Sequence, residues 1–460
     1  MSQSVALPSS VDLDRILAVL GPTASVSYAP PNIYPMSAPR FTADSSVDRP
    51  HPQGLDIGLY VHIPFCSYHC TFCFYATRIG ADLEQKRRYV DAVLRELEWV
   101  RPGTRLTQLF VGGGTPTALP PELLSRVLEA IFRATTDHDR HAHTVETSPE
   151  SLTPEHVAVL TDRGIRRVSM GVQSLDDGVL DTVKRRHTRA MVESSCRLLV
   201  DAGRMVNLDL IYGLPGQTYE SFRRDVKAIV ELGVHSFTAY NLRVNERTPV
   251  GRSLADEERL DLATLVRWRA CVADAARDLG FAPQRWHTFR RCEVSGPAAP
   301  TVARFDDVTG HGDQLGVGMS ARSRLSHVVF RNHPTLETYQ ERIESGQSPV
   351  EERFALSDGE RKLRYLAMTL GDGKGLSRAD YRAEFGSSVE GDFAEPLERL
   401  ADAELVEDQG ELICLTDTGQ LVYDLVTRAF YPETAQRWMQ ERQALAATSG
   451  NLRPRVRETR

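Results

Sequence analysis

From Ile57 onward, short apolar runs alternate with longer stretches of helical spacing. The runs at 57–63, 107–111, 143–147, 166–171, 206–211 and 235–241 have the length and bounding residues of strands. Between the first two, Tyr89, Val90, Val93, Leu94 and Leu97 recur at helical spacing and give a helix with one apolar face. Leu123, Val127, Leu128 and Ile131 repeat the pattern before the third run. Strand and helix in this rhythm predict βαβ units and a parallel sheet. Six units make an open, partial (β/α)6 barrel within an α/β fold, in which working residues gather where strands end.

The flanks read differently. Residues 1–55 are rich in Ser and Pro and form an arm, with one short helix at Val11–Leu20. The barrel core spans 56–250, and 251–354 extend it, with a helical stretch at Leu254–Leu279 that places Trp268 and Cys271 in the core. Residues 355–432 are a separate helical unit: one helix carries Leu363, Leu366, Ala367 and Leu370, Phe385-Gly386 ends another, and Leu397, Leu400 and Leu405 mark a third. Leu412 to Thr416 reads as a strand wing. Residues 433–460 are a helical, basic tail.

Composition narrows the class. Apolar content of 41% and charged content of 25% are those of an ordinary globular chain. A net charge of −7 gives no general attraction to nucleic acid or anionic membrane. No apolar run reaches the roughly 18 residues of a membrane span, and Asp12, Asp14 and Arg15 interrupt any secretory pattern. Seven cysteines, three of them clustered, suit a reducing cytoplasm.

That cluster carries the chemistry. Cys66, Cys70 and Cys73 are spaced C-x3-C-x2-C directly after the first strand, in YVHIPFCSYHCTFCFYATRIG. Three soft thiolates wrap one metal centre and leave one corner of a four-iron cube without a protein ligand. The alternative is a structural zinc completed by His62 or His69. His69 adjoins Cys70 and is poorly placed for the same ion.

These residues resemble the signature of the radical S-adenosylmethionine (SAM) enzymes, specifically the oxygen-independent coproporphyrinogen III oxidase (HemN-like) family. The likeness covers residues 57 to about 430. It implies a radical-SAM barrel, a C-terminal winged-helix-like domain and a [4Fe-4S] cluster whose open iron binds SAM. A reduced cluster then cleaves SAM to a 5′-deoxyadenosyl radical. The same resemblance assigns Tyr60 and the Gly113, Gly114 and Thr115 of GGGTPT to SAM, and Glu146 of VETSP to its ribose. Phe72, Gln173 of GVQS, Arg185 and Asp209 of DLIYGLPGQT are assigned to a second SAM. The chain from GVQS is read as running into a helix that carries Lys184, Arg185, Arg186 and His187. Pro39-Arg40-Phe41-Thr42 is similar to a segment across the active-site mouth, and Gly316 to Ala321 to a loop at the first SAM. His287 reads as structural, with a substrate-facing position as the alternative.

Three activities occur in such a family: oxidative decarboxylation of coproporphyrinogen III, haem trafficking by a chaperone, and methyl or methylene transfer to unactivated carbon. The oxidase pattern has a further cysteine where this chain has Tyr75. The continuation Phe74 to Gly80 is most similar to the branch that carries out C-methylation or cyclopropanation of natural products. A small-molecule substrate, a reductant such as flavodoxin or ferredoxin, and a monomer are expected.

Overall fold

Ile57, Leu59, Val61 and Ile63 have no exposed surface, and Gly58 and His62, on the opposite face of the same strand, are buried as well. A strand covered on both sides belongs to the middle of a parallel sheet. It is β1 (Asp56–Ile63), and it pairs in parallel with β2 (Arg105–Gly113). The sheet continues in parallel through β3 (Thr144–Thr147), β4 (Arg167–Gln173), β5 (Met205–Tyr212) and β6 (Ser236–Asn241). All six predicted strands are present, shifted by one or two residues at their ends. The structure is a computed structural model. It describes residues 7–9, 11–20, 42–43, 56–138, 143–243, 248–253, 261–285, 287–292, 312–325, 327–433 and 435–437.

The helices between strands begin where the sequence supplies a cap. Asp82 and Gln85 form a capping box at α1 (Leu83–Leu97). α2 is Pro121–Ala134. Thr153, Thr188 and Thr218 accept backbone N–H groups at the starts of α3 (Pro154–Asp162), α4 (Arg189–Asp201) and α5 (Tyr219–Glu231). α1 turns Tyr89, Val90, Val93 and Leu97 inward, while Leu94 is only half-buried.

Among the described residues the barrel does not close. Beyond β6 lies an antiparallel hairpin, β7 (Phe281–Arg285) and β8 (Thr288–Arg291). On the other side, β9 (Asp313–Val317) is a seventh parallel strand beside β1, which the strand pattern alone did not predict. The antiparallel strands β10 (Arg322–Leu325), β11 (Val328–Asn332) and β12 (Val350–Ala355) follow. Thr42–Ala43 pairs with the outer edge of β12, and Pro39, Arg40 and Phe41 lie outside the described residues. The helix predicted from Leu254 is α6 (Leu262–Asp278), with Trp268 and Cys271 buried; residues 254–260 lie outside the description.

The chain divides into two compact units, one holding Phe41–Ser357 and the other Asp358–Arg460 with Ser9–Ser25. In the second unit the helix Asp358–Leu370 buries Leu363, Leu366, Ala367 and Leu370. Gly386, at φ 69°, ends the helix Arg378–Phe385. Leu400 lies inside Val389–Asp402, whereas Leu405 falls beyond it, because Glu404 takes a left-handed turn at φ 54°. Leu412–Leu415 is the middle strand of a small three-stranded sheet. The helix Leu13–Leu20 buries Ile16 and Leu20 and belongs to this unit, with Arg15 bonded to Glu404 at 2.8 Å. Among the described residues no helix is long and apolar enough to cross a membrane.

Candidate active site and metal centre

The thiol loop is tied down on every side. Phe65–Cys66 pairs with Arg78–Ile79, closing the loop, and the Arg78 N–H donates to the Pro64 carbonyl at 2.7 Å. From β2, the Gly114 N–H reaches the Ile63 carbonyl at 2.8 Å and the Thr115 N–H reaches Phe65 at 2.8 Å. Thr71 joins Val183 at 3.3 Å and Val250 at 3.0 Å. Phe72 packs against the apolar cluster of Val179, Val183, Ile211, Leu214, Leu242 and Val250.

The glycine run permits this approach. A Cβ on Gly112 would lie 2.5 Å from Glu146 Oε2, one on Gly113 2.4 Å from the His62 ring, and one on Gly114 2.7 Å from the Pro64 backbone. Gly114 faces backbone and Gly113 holds φ 113°, so neither admits a side chain, while one on Gly112 would displace the Glu146 carboxylate.

Each thiol has a donor of its own. Thr115 Oγ1 lies 3.7 Å from Cys66 Sγ, Arg185 Nη1 donates to Cys70 Sγ at 3.3 Å, and the Tyr75 backbone N–H serves Cys73. Burial pushes the Cys66 thiol up to about 11 against the Thr115 bond, and the charges of Cys73 and Cys70 push it further. Three mutually repelling thiols surrounded by donors suit a cationic metal centre that draws off their protons. His62 is not available to complete a zinc site, because both of its ring nitrogens are bonded. His62 accepts from Tyr60 Oη at Nδ1 and donates from Nε2 to the Ala76 carbonyl, both at 2.9 Å, while His69 bonds the Cys70 carbonyl. Burial holds His62 down at about 4, so it stays neutral. The donor set therefore fits an iron–sulfur cluster with one open corner.

Beyond the loop a cavity, partly open to solvent, is lined by Phe110, Glu146, Arg167, Asp209, Tyr240 and His287 among others. Glu146 accepts the Gly113 N–H at 3.1 Å. Burial, and then repulsion from Asp209, pushes its carboxyl up to about 8. Burial raises Asp209 to about 6, opposed by the Ser169 hydroxyl at 2.9 Å, by Arg167 and by the Asn207 amide at 2.9 Å. Tyr60 stacks on Phe110 with ring centroids 6.1 Å apart.

The structure thus brings Tyr60, Cys66, Cys70, Phe72, Cys73, Gly113, Gly114, Thr115, Glu146, Arg185 and Asp209 to one end of the barrel. Gln173 is there too, with an unusual backbone: its φ is 71° at a bulge in β4. Lys184 to His187 are not helical, contrary to expectation. The short helix Asp177–Thr182 stops first, because Lys184 turns left-handed at φ 58°. That turn sends Arg185 inward and leaves Arg186 exposed over the Tyr68 ring.

Sequence reasoning missed Arg167, Ser169, Thr238, Tyr240 and Arg285 of the cavity wall. A signal existed for four of them: Arg167 and Ser169, like Thr238 and Tyr240, are polar residues at alternate positions of strands whose neighbours are apolar. It also missed Glu96, which is fully buried on α1. Glu96 accepts from the Gly318 N–H at 2.7 Å, Tyr339 Oη at 2.6 Å and Asn332 Nδ2 at 2.8 Å. Gly318, at φ 101°, has no room for a Cβ between Tyr89 Oη and the His62 carbonyl. The Gly316–Ala321 segment is therefore fixed to the end of β1. His287 lines the cavity, its ring 5.6 Å from that of Tyr240.

The comparisons agree with this geometry. The profile of the Radical SAM superfamily matches residues 60–229, and that of the HemN C-terminal domain matches residues 356–422. An oxygen-independent coproporphyrinogen III oxidase of Pseudomonas aeruginosa is 30% identical over 401 residues, covering 82% of this chain and 86% of that protein. A heme chaperone HemW of Mycobacterium tuberculosis is 30% identical over 394 residues, covering 82% and 95%. The solved structure of coproporphyrinogen III oxidase HemN from Escherichia coli superposes with a TM-score of 0.74 at 23% identity, covering 91% of this chain and 98% of that one. A [4Fe-4S] cluster and SAM are the cofactors of this class of protein.

Proposed function

This chain belongs to the HemN-like family of radical SAM proteins, and on that premise we propose that it is an enzyme in which a second SAM donates carbon to a small-molecule substrate. Cys66, Cys70 and Cys73 would hold the cluster, which would supply the electron for reductive cleavage of SAM. Tyr60, Gly113, Gly114, Thr115 and Glu146 hold the SAM that is cleaved. With its carboxyl near 8, Glu146 is neutral at pH 7 and can donate as well as accept toward a ribose diol. Phe72, Gln173, Arg185 and Asp209 hold the carbon donor. A reductant such as flavodoxin or ferredoxin feeds the cluster.

The observation that carries this reading is Tyr75. Where the oxidase pattern has a further thiol, this chain has an aromatic ring, 59% exposed and stacked on Phe74 at 4.8 Å. A phenol there cannot do the work of a thiol, while the set assigned to the second SAM is intact. The oxidases and haem chaperones among its relatives keep porphyrinogen oxidation as the second reading.

Products separate the readings. The reconstituted enzyme, given dithionite, methyl-labelled SAM and its substrate, is expected to release both 5′-deoxyadenosine and S-adenosylhomocysteine. Turnover of coproporphyrinogen III with carbon dioxide, and no S-adenosylhomocysteine, would establish the oxidase instead. Stoichiometric haem binding with neither product would establish a chaperone. Replacing any of Cys66, Cys70 or Cys73 by Ala is expected to abolish SAM cleavage under both enzymatic readings.

A further inference from the structure

The three thiols differ in what donates to them. Cys66 faces a hydroxyl and Cys73 a backbone amide, but Cys70 receives a guanidinium hydrogen bond. Arg185 does not reach Cys70 by chance. The left-handed Lys184 sends the side chain inward, the left-handed Gln173 ends β4 at a bulge, and Arg185 Nη2 bonds the Gly171 carbonyl just before it. The Tyr68 ring lies 5.7 Å from the guanidinium carbon and covers it. Arg185 Nε is buried and has no hydrogen-bond partner among the described residues, so the donor aimed at sulfur is one of a fixed fork.

Electrostatics single out one opposing charge. The thiols and Tyr68 apart, the acid within reach of Arg185 is Glu150, which also faces His187 Nδ1 at 3.7 Å. Burial, and then the Arg185 charge, hold His187 down at about 3, so it adds no positive charge.

We propose that Arg185 sets the reduction potential of the cluster, through a charge-assisted hydrogen bond to the Cys70 thiolate that Glu150 moderates. Hydrogen bonds to sulfur and local charge both tune such potentials, and an ionised donor is roughly twice as strong as a neutral one. Adding an electron makes the cluster more negative, so a nearby positive donor favours the reduced state and raises the potential. Glu150 opposes it. Arg185 is thus a positioning and tuning residue, whichever substrate the enzyme takes.

The proposal rests on the cluster and not on carbon transfer, so the test reads the cluster alone. Wild-type, Arg185→Gln and Glu150→Gln proteins are reconstituted anaerobically, their iron is counted, and their midpoint potentials are measured by spectroscopic redox titration without substrate. With equal iron, Arg185→Gln is expected to move the midpoint to more negative potential and Glu150→Gln to more positive potential. Opposite signs distinguish tuning from general damage, which moves both variants alike. An unchanged midpoint in Arg185→Gln at equal iron overturns the proposal. If Arg185→Gln loses iron, Glu150→Gln decides, because it leaves every thiol and donor in place: an upward shift supports the proposal, and no shift or a downward one overturns it. Iron absent from all three proteins would instead remove the cluster assignment itself.

Discussion

Glu96 and Glu146 are both carboxylates held within the barrel unit, and they are used in opposite ways. Glu96 lies in the interior of α1, accepts three hydrogen bonds and locks the Gly318 turn to the end of β1. Glu146 ends β3, accepts one backbone N–H and turns toward the cavity, with its carboxyl pushed up to about 8. A buried acid fully supplied with donors is a strut. One deprived of them, next to a second acid, holds a proton and waits for a ligand.

The sharpest way to break the contrast is to truncate both. Glu96→Ala strands three buried donors and is expected to cost about 3–5 kcal/mol of stability, whereas Glu146→Ala should cost under about 1 kcal/mol. Denaturant unfolding of the apoproteins measures both, and equal losses would dissolve the distinction.

Activity should reverse the ranking. Glu146→Ala is expected to suppress both 5′-deoxyadenosine and S-adenosylhomocysteine while leaving iron content intact. Each neutral hydrogen bond lost to the ribose corresponds to about 0.5–1.5 kcal/mol, roughly two- to ten-fold in affinity. Gln173→Ala with Asp209→Ala should remove S-adenosylhomocysteine and spare slow release of 5′-deoxyadenosine. Parallel loss of both products in that double variant would mean that a single SAM site had been disturbed.

The pH dependence follows from the sign of the shift. Glu146 titrates near 8 in the folded chain and near 4.5 when unfolded, so between those values the folded state binds more protons. Its contribution therefore destabilises progressively as pH rises from about 4.5 to about 8 and is absent below that window. Glu146→Gln should make the apoprotein more stable than wild type at pH 8, with the advantage shrinking toward pH 5. An advantage constant across the window would show that the carboxyl does not titrate there.

The smallest effect belongs to the second arginine. Arg186 is exposed over Tyr68, and Arg186→Gln should cost about 0.5–1 kcal/mol at most, with iron content and products unchanged.

Much of this was legible in one dimension, because the signals are local. Burial on both faces made β1 through β6 apolar runs, caps and amphipathic spacing set the helices, and a thiol loop must keep its C-x3-C-x2-C spacing to enclose a metal centre. The glycine run was readable as a place of close approach, but not what approaches: the Glu146 carboxylate, the His62 ring and the Pro64 backbone come from three different segments. The helix expected across Lys184 to His187 failed because a left-handed residue, which no local propensity announces, redirects the chain.

The sequence by itself determined the fold class, the spacing of the three clustered thiols and the strand ends beside which they lie. Tertiary structure decided which acid is a strut and which holds a proton, that Arg185 and not Arg186 faces a thiol, and that β9 enters the sheet beside β1. The physical reason is the same in each case. A charge's behaviour depends on the donors and dielectric around it, and those are supplied by residues distant in the chain: Glu96 meets Tyr339, 243 positions away, and Arg185 meets Cys70, 115 positions away.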